Sequence, residues 1–175
     1  MNKVGEFEKV SFDQFLAAMK EEFYEGTALP ESANDDLRTL WEEIKLPTRA
    51  TSGSAGYDFK APFDFRLAAG HQIKIPTGIR VKIEPGWWLG CFPRSGLGFK
   101  HRIGLANTCG VIDADYYASD NEGHIFAKLV NNGDKDVVIW SGDGFLQGIF
   151  IPYGITCSDE ANGIRNGGMG STDEM

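Results

Sequence analysis

The chain has 175 residues, 42% of them apolar and 24% charged, with a net charge of −8. That is enough for one domain with a sizeable core plus an appendage, and it excludes a disordered or low-complexity chain. The acidic balance excludes a nucleic-acid-binding face, which needs clustered Lys and Arg.

Residues 1–44 differ in kind from the rest. They carry four Lys/Arg against eleven Asp/Glu, leaving thirteen against fourteen for the other 131 residues. The opening stretch MNKVGEFEKVSF lacks an apolar signal region, and no apolar run approaches the ~20 residues of a membrane span. The expected location is therefore the cytoplasm, with no membrane partner. Glu6–Val10 reads as a short strand. Phe12, Phe15, Leu16, Met19 and Phe23 then form one apolar stripe of an amphipathic helix. Ser11 and Gln14 have capping-box spacing at its start, and Gly26 stands just past its end. A second stripe follows in Leu37, Leu40, Trp41 and Ile44, with Ser32 or Asn34 as its cap. These helices are expected to pack on the domain or on a neighbouring subunit. The alternative is an acidic surface for an unknown protein partner.

From Lys45 the pattern changes to short apolar stretches punctuated by Gly, Pro, Asn and Asp. Candidate strands are His71–Ile75, Thr77–Ile83, Trp87–Phe92, Ile103–Ala106, Ile125–Val130, Asp136–Trp140 and Phe145–Ile151. No helical periodicity is visible between Thr51 and Cys157. Evenly spaced strands with turn signals predict an all-β, jelly-roll-like barrel or sandwich. The expected division is a helical segment over 1–44, a β-domain over 45–157 and a flexible Gly-rich arm over 158–175. Three scattered cysteines (Cys91, Cys109, Cys157) are read as reduced thiols. His71, His101 and His124 fit no zinc-site pattern.

Five Gly-containing motifs carry the chemistry. AGYD (Ala55–Asp58) places a carboxylate after a glycine. PRSGLGFK (Pro93–Lys100) joins Arg94, Ser95 and Gly96 in a string suited to phosphate oxygens: a charged fork, a hydroxyl and open backbone N–H groups. GVIDADY (Gly110–Tyr116) leads an apolar pair, Val111 and Ile112, into Asp113, a carboxylate placed to orient and deprotonate a water. GDGFLQ (Gly142–Gln147) ends in an amide. RNGGMGST (Arg165–Thr172) puts an Arg before a glycine run. HRIGLANTCGVID (His101–Asp113) reads as a β-hairpin. Singly, each string also reads as an ordinary turn.

In order and wording the five resemble the trimeric dUTPase family over about residues 46–172. The resemblance implies cleavage of dUTP to dUMP and pyrophosphate by water attack on the α-phosphorus, in a homotrimer whose sites draw on more than one subunit. It implies that Asp113 orients the water and that Arg94, Ser95, Gly96, Gln147, Arg165, Gly170 and Ser171 hold the triphosphate. It gives the hairpin backbone, with Asn107, Gly110, Val111 and Ile112, the uracil edge, and gives Tyr116 the deoxyribose, excluding a 2′-hydroxyl. Mg2+ is the implied cofactor, held by phosphate oxygens and water, with Asp58 supporting it indirectly. Two departures stand out. Gly144 replaces the usual basic residue, and Met169 replaces the Phe that covers the base, in a motif one residue shorter than in many members. The segment Tyr117–His124 is also longer than the usual turn and is expected to be a surface loop. Two rival readings are a dCTP deaminase of the same fold, with Glu122 in the catalytic region, and a non-catalytic trimeric regulatory or binding protein.

Overall fold

A computed structural model describes residues 2–24, 30–163 and 165, and of residues 31 and 32 only the backbone. Gly26, Met169, Gly170 and Ser171 lie outside the described residues. The chain opens with strand β1 (Gly5–Lys9), which pairs antiparallel with β6 (Ile79–Ile83) from Gly5↔Ile83 to Lys9↔Ile79. Helices α1 (Phe12–Phe23) and α2 (Glu31–Glu43) follow. The predicted stripes are the reason they form. Phe15, Ala18 and Met19 of α1, Leu37 of α2 and Ile44 are all buried, and the large apolar ones join the same core cluster as the strands. Both helices therefore pack on their own chain.

The predicted cap is present in half. Ser11 Oγ accepts from the Gln14 N–H at 3.1 Å. The reciprocal bond does not come from Gln14. Glu122 supplies it, accepting from the Ser11 N–H at 2.7 Å and from the Ser11 hydroxyl at 2.6 Å. Helix α2 begins earlier than a cap at Ser32 or Asn34 would allow. Pro30 occupies the cap position without a side-chain bond, where a missing N–H costs nothing. Its C-terminal end is tied down by Lys9 Nζ, which donates to the Trp41 and Glu42 carbonyls at 2.9 and 2.8 Å, a cation placed where unpaired carbonyls collect.

The remaining strands form sheets. Strands β2 (Thr48–Arg49), β3 (Tyr57–Lys60), β12 (Gly144–Pro152), β7 (Trp87–Pro93) and β9 (Gly110–Ile112) make a five-stranded sheet in that order. A second sheet orders β5 (Gln72–Pro76), β10 (Phe126–Asn131) and β8 (Ile103–Leu105), and β4 (Phe65–Leu67) pairs with β11 (Val137–Ile139). Phe59, Leu67, Ile75, Leu89, Ile103, Leu129 and Phe145 are at most 1% exposed and fill the space enclosed. The architecture is the expected jelly-roll-like β-domain with helices added.

Three local readings are corrected. The string PRSGLGFK is not a plain turn: Ser95–His101 forms helix α3, ended by Arg102 in the left-handed region at φ 57°. Two helical turns are too short to show a period. Asp115 and Tyr116 fall in a 3-10 turn, Ala114–Ala118, for the same reason. The segment Tyr117–His124 is not a mere surface loop. Ser119 is 5% exposed and His124 fully buried, and Tyr117 donates to Glu8 Oε2 at 2.9 Å beneath the Arg80 guanidinium.

His124 stands between α1 and the β-domain, 4.4 Å from the Phe126 ring and 6.4 Å from the Phe15 ring by centroids. Its Nε2 accepts from the Gly78 N–H at 2.8 Å, so Nδ1 carries the hydrogen and has no partner among the described residues. Burial, with a smaller push from Lys74, drives its pKa down from 6.5 to about 3. The folded state thus refuses a proton that the unfolded chain accepts, so stability falls as pH drops from 6.5 toward about 3. Urea titrations across that window are expected to give a shallower acid slope for His124→Gln. Gly78 itself lies at φ +71°, and an added Cβ would stand 2.3 Å from Ile44 Cδ1. Gly78→Ala is expected to destabilise by about 1–3 kcal/mol through backbone strain and overpacking, read as a lower denaturation midpoint with an unchanged slope.

Candidate active site

The predicted site residues fall into two groups. The first is built on the five-stranded sheet. Asp58 on β3 is opposite Gln147 on β12, which is opposite Phe92 on β7. Arg94 follows β7 directly, and its Nε lies 3.2 Å from Asp58 Oδ1. Two glycines make room for these side chains. A Cβ at Gly144 would lie 2.4 Å from Arg94 Nη1, and one at Gly56 would lie 2.8 Å from Gln147 Oε1. The departure at Gly144 therefore has a local reason: in this chain Arg94 fills the space. Ser95 and Gly96 open helix α3 beside Arg94 and are both exposed. The group combines a half-exposed guanidinium, an amide and a hydroxyl around one compensated carboxylate, a set suited to phosphate oxygens.

The second group surrounds the hairpin between β8 and β9. Asn107 lies at its exposed tip, where the Cys109 N–H donates to the Asn107 carbonyl at 2.6 Å. Asn107, Gly110 and Ile112 line a cleft of about 660 Å³, a size usual for small-ligand sites. The Val111 side chain points elsewhere and is 55% exposed, as period-two alternation along β9 requires. Cys91 also lines the cleft. Burial pushes its thiol up to about 12, so it stays protonated near neutrality and is no nucleophile.

Asp113 follows β9 directly. Arg165 Nη2 donates to Asp113 Oδ2 at 2.6 Å, and its Nε lies 3.1 Å from Asp115 Oδ1. The same guanidinium lies 5.7 Å from the Tyr116 ring centroid. Tyr116 is 1% exposed. Its hydroxyl donates to the His124 carbonyl at 2.7 Å and accepts from Asn121 Nδ2 at 2.8 Å. Burial raises its pKa, opposed by the Asn121 bond and by Arg165. In this arrangement Arg165 neutralises Asp113 and stands beside the Tyr116 ring.

The two groups are far apart within one chain. Strand β9 is three strands from β3, about 14 Å. Val111 is opposite Gly90 on β7, which sets Asp113 four residues from the Asp58–Gln147–Phe92 row, about 13 Å along the strands. Together these place Asp113 on the order of 20 Å from Asp58, beyond the reach of either side chain.

Sequence reasoning missed part of the cleft. Gln14 and Glu21 of α1 line it, as do Lys74, Phe126 and Lys128 of the second sheet. Of these, Gln14 carries only a capping signal in the sequence. Strand residues such as Phe126 carry no mark that separates a cleft wall from a core face. Among the described residues, no group of three or more His, Cys, Asp or Glu side chains could hold a metal ion. No described helix is long and apolar enough to cross a membrane.

A family model described as dUTPase matches residues 42–172. The deoxyuridine 5'-triphosphate nucleotidohydrolase of Lactococcus lactis is 41% identical over 132 residues, covering 74% of this chain and 88% of the relative. The crystal structure of dUTPase from Streptococcus mutans is similar with a TM-score of 0.58 at 39% identity, over 63% of this chain and 88% of its own. A mutant dUTPase from phage phi11 of S. aureus, which coordinates a structural Mg(II) ion, gives a TM-score of 0.56 at 20% identity, over 70% of this chain and 92% of its own. At that identity the last likeness bears on the fold alone.

Proposed function

The chain belongs to the dUTPase family, and on that premise we infer that it hydrolyses dUTP to dUMP and pyrophosphate. The observation that carries the reading is the cleft lined by Asn107, Gly110 and Ile112, with Asp113 next in the chain. A rigid hairpin edge matches the donor and acceptor pattern of uracil and leaves polar groups unpaired against cytosine.

The roles follow from the two groups. Arg94, Ser95, Gly96 and Gln147 bind phosphate oxygens, and Arg94 neutralises charge that builds in the transition state. Asp113 orients a water for in-line attack on the α-phosphorus and accepts its proton. The carboxylate is paired with Arg165 before substrate arrives. A triphosphate competes for that guanidinium, so substrate binding draws Arg165 away and frees Asp113 for the water. Gly170, Ser171 and Met169, outside the described residues, complete the set of residues proposed to contact the nucleotide. Bound Mg2+ would neutralise phosphate charge. Asp58 is the nearest carboxylate on the phosphate side. With Asp58 paired to Arg94, the ion would be held mainly by phosphate oxygens and water, with Asp58 supporting it indirectly.

The separation of Asp113 from the phosphate-binding group supports a site assembled between copies in a homotrimer. Strand β9 is an edge strand whose Val111 is exposed, and Phe99 on α3 is 92% exposed. An open strand edge with apolar side chains beside it favours pairing with another copy. Glu122, on which the deaminase reading depends, has both carboxylate oxygens accepting hydrogen bonds from Ser11, and the family match favours dUTP.

Pyrophosphate release from dUTP, dCTP, dTTP and UTP with magnesium tests the reading. Selective turnover of dUTP is expected, with Asp113→Asn lowering kcat by about 10²–10⁴-fold. No turnover of dUTP by folded wild type would sink it. The shared site has its own check. Asp113→Asn and Arg94→Ala are each expected to be nearly inactive, yet a mixture refolded together should regain activity by pairing intact halves. Silence of the mixed oligomer would argue against sites shared between copies.

A further inference from the structure

The cleft that carries Asn107, Gly110 and Ile112 has a second wall. Helix α1 forms it, presenting Gln14 and Glu21 to the same space. Neither residue belongs to a motif, and both precede residue 42, where the family match begins.

Cap chemistry explains why Gln14 is available. In a capping box the residue three past the cap reaches back to the cap N–H. Here Glu122 Oε2 takes that N–H at 2.7 Å. Gln14 is therefore not needed for capping, and it is one of the residues that line the cleft. Its backbone N–H is bonded to Ser11 Oγ, and among the described residues its side chain makes no hydrogen bond. The wall is held at both ends. Ser11 is fixed to Glu122 at the first turn, Lys74 pairs with Glu22 near the last, and Phe15, Ala18 and Met19 are buried beneath. A carboxamide on a fixed helix offers two donors and an acceptor to whatever fills the cleft.

We propose that Gln14 is a specificity-determining residue of the dUTP site, hydrogen-bonding the deoxyuridine moiety from the wall opposite the Asn107–Ile112 hairpin. Nucleoside recognition in this chain then depends on a helix outside the five motifs. The proposal rests on the dUTP reading above.

Gln14→Leu removes the polar atoms at similar size, and Gln14→Ala removes the side chain. Steady-state kinetics of both, with dUTP, dCTP and dTTP, test the role. The expected result is a KM for dUTP raised about tenfold with kcat changed by less than about twofold, as for one lost hydrogen bond to the ligand. The preference for dUTP over dCTP should fall alongside. Thermal midpoints should stay close to wild type, because among the described residues the side chain makes no hydrogen bond to the protein. Wild-type turnover with unchanged KM and preference in both variants would overturn this proposal alone. Absence of dUTP turnover by wild type would overturn the reading beneath it.

Discussion

Strand β12 is the constraint on which the rest depends. It lies between β3 and β7, antiparallel to both, and its register sets Gln147 opposite Asp58 on one side and Phe92 on the other. A slip of one residue would turn Gln147 to the other face and bury the wrong side chains. Phe145 and Leu146 in the same strand are fully buried, so the slip is forbidden by the core. Asp58 and Gln147, with Arg94 at the end of β7, are thus aligned by the same contacts that hold the domain together. The open space over Gly56 and Gly144 lets the long side chains of Gln147 and Arg94 lie across that alignment.

The second organising contact joins two parts of the sequence that look unrelated. Glu122 belongs to a polar stretch, and Ser11 begins an amphipathic helix, 111 residues away. Their pairing caps α1 and anchors the stretch Tyr117–His124 at once. Tyr117 adds its bond to Glu8, and His124 packs beneath Phe15. The longer segment after the third motif and the helices before the first are two halves of one structural addition. That addition borders the cleft lined by Asn107, Gly110 and Ile112, to which Gln14 and Asn121 contribute.

Electrostatics within one chain are arranged as resting pairs. Arg94 compensates Asp58, and Arg165 compensates Asp113 and Asp115. In the reaction proposed above, each guanidinium would turn from its carboxylate to phosphate, so that a triphosphate exchanges one anionic partner for another with little uncompensated charge. Arrival of the substrate would thereby be coupled to release of Asp113.

The sequence by itself determined the fold class, the two N-terminal helices and the family. Those rest on local order: a 3.6-residue stripe in Phe12–Phe23, short apolar runs broken by Gly and Pro, and strings such as PRSGLGFK. Tertiary structure alone decided three other matters. It made α3 and the turn at Ala114–Ala118 helical, because elements of one or two turns are stabilised by packing and carry no readable period. It gave Glu122 a capping role, since a bond across 111 residues leaves no trace in local pattern. It set Asp113 and Arg94 apart on one sheet, a distance fixed by strand register and not by spacing in the chain. The wall formed by Gln14 belongs with these, because the surface a helix faces is set by what it packs against.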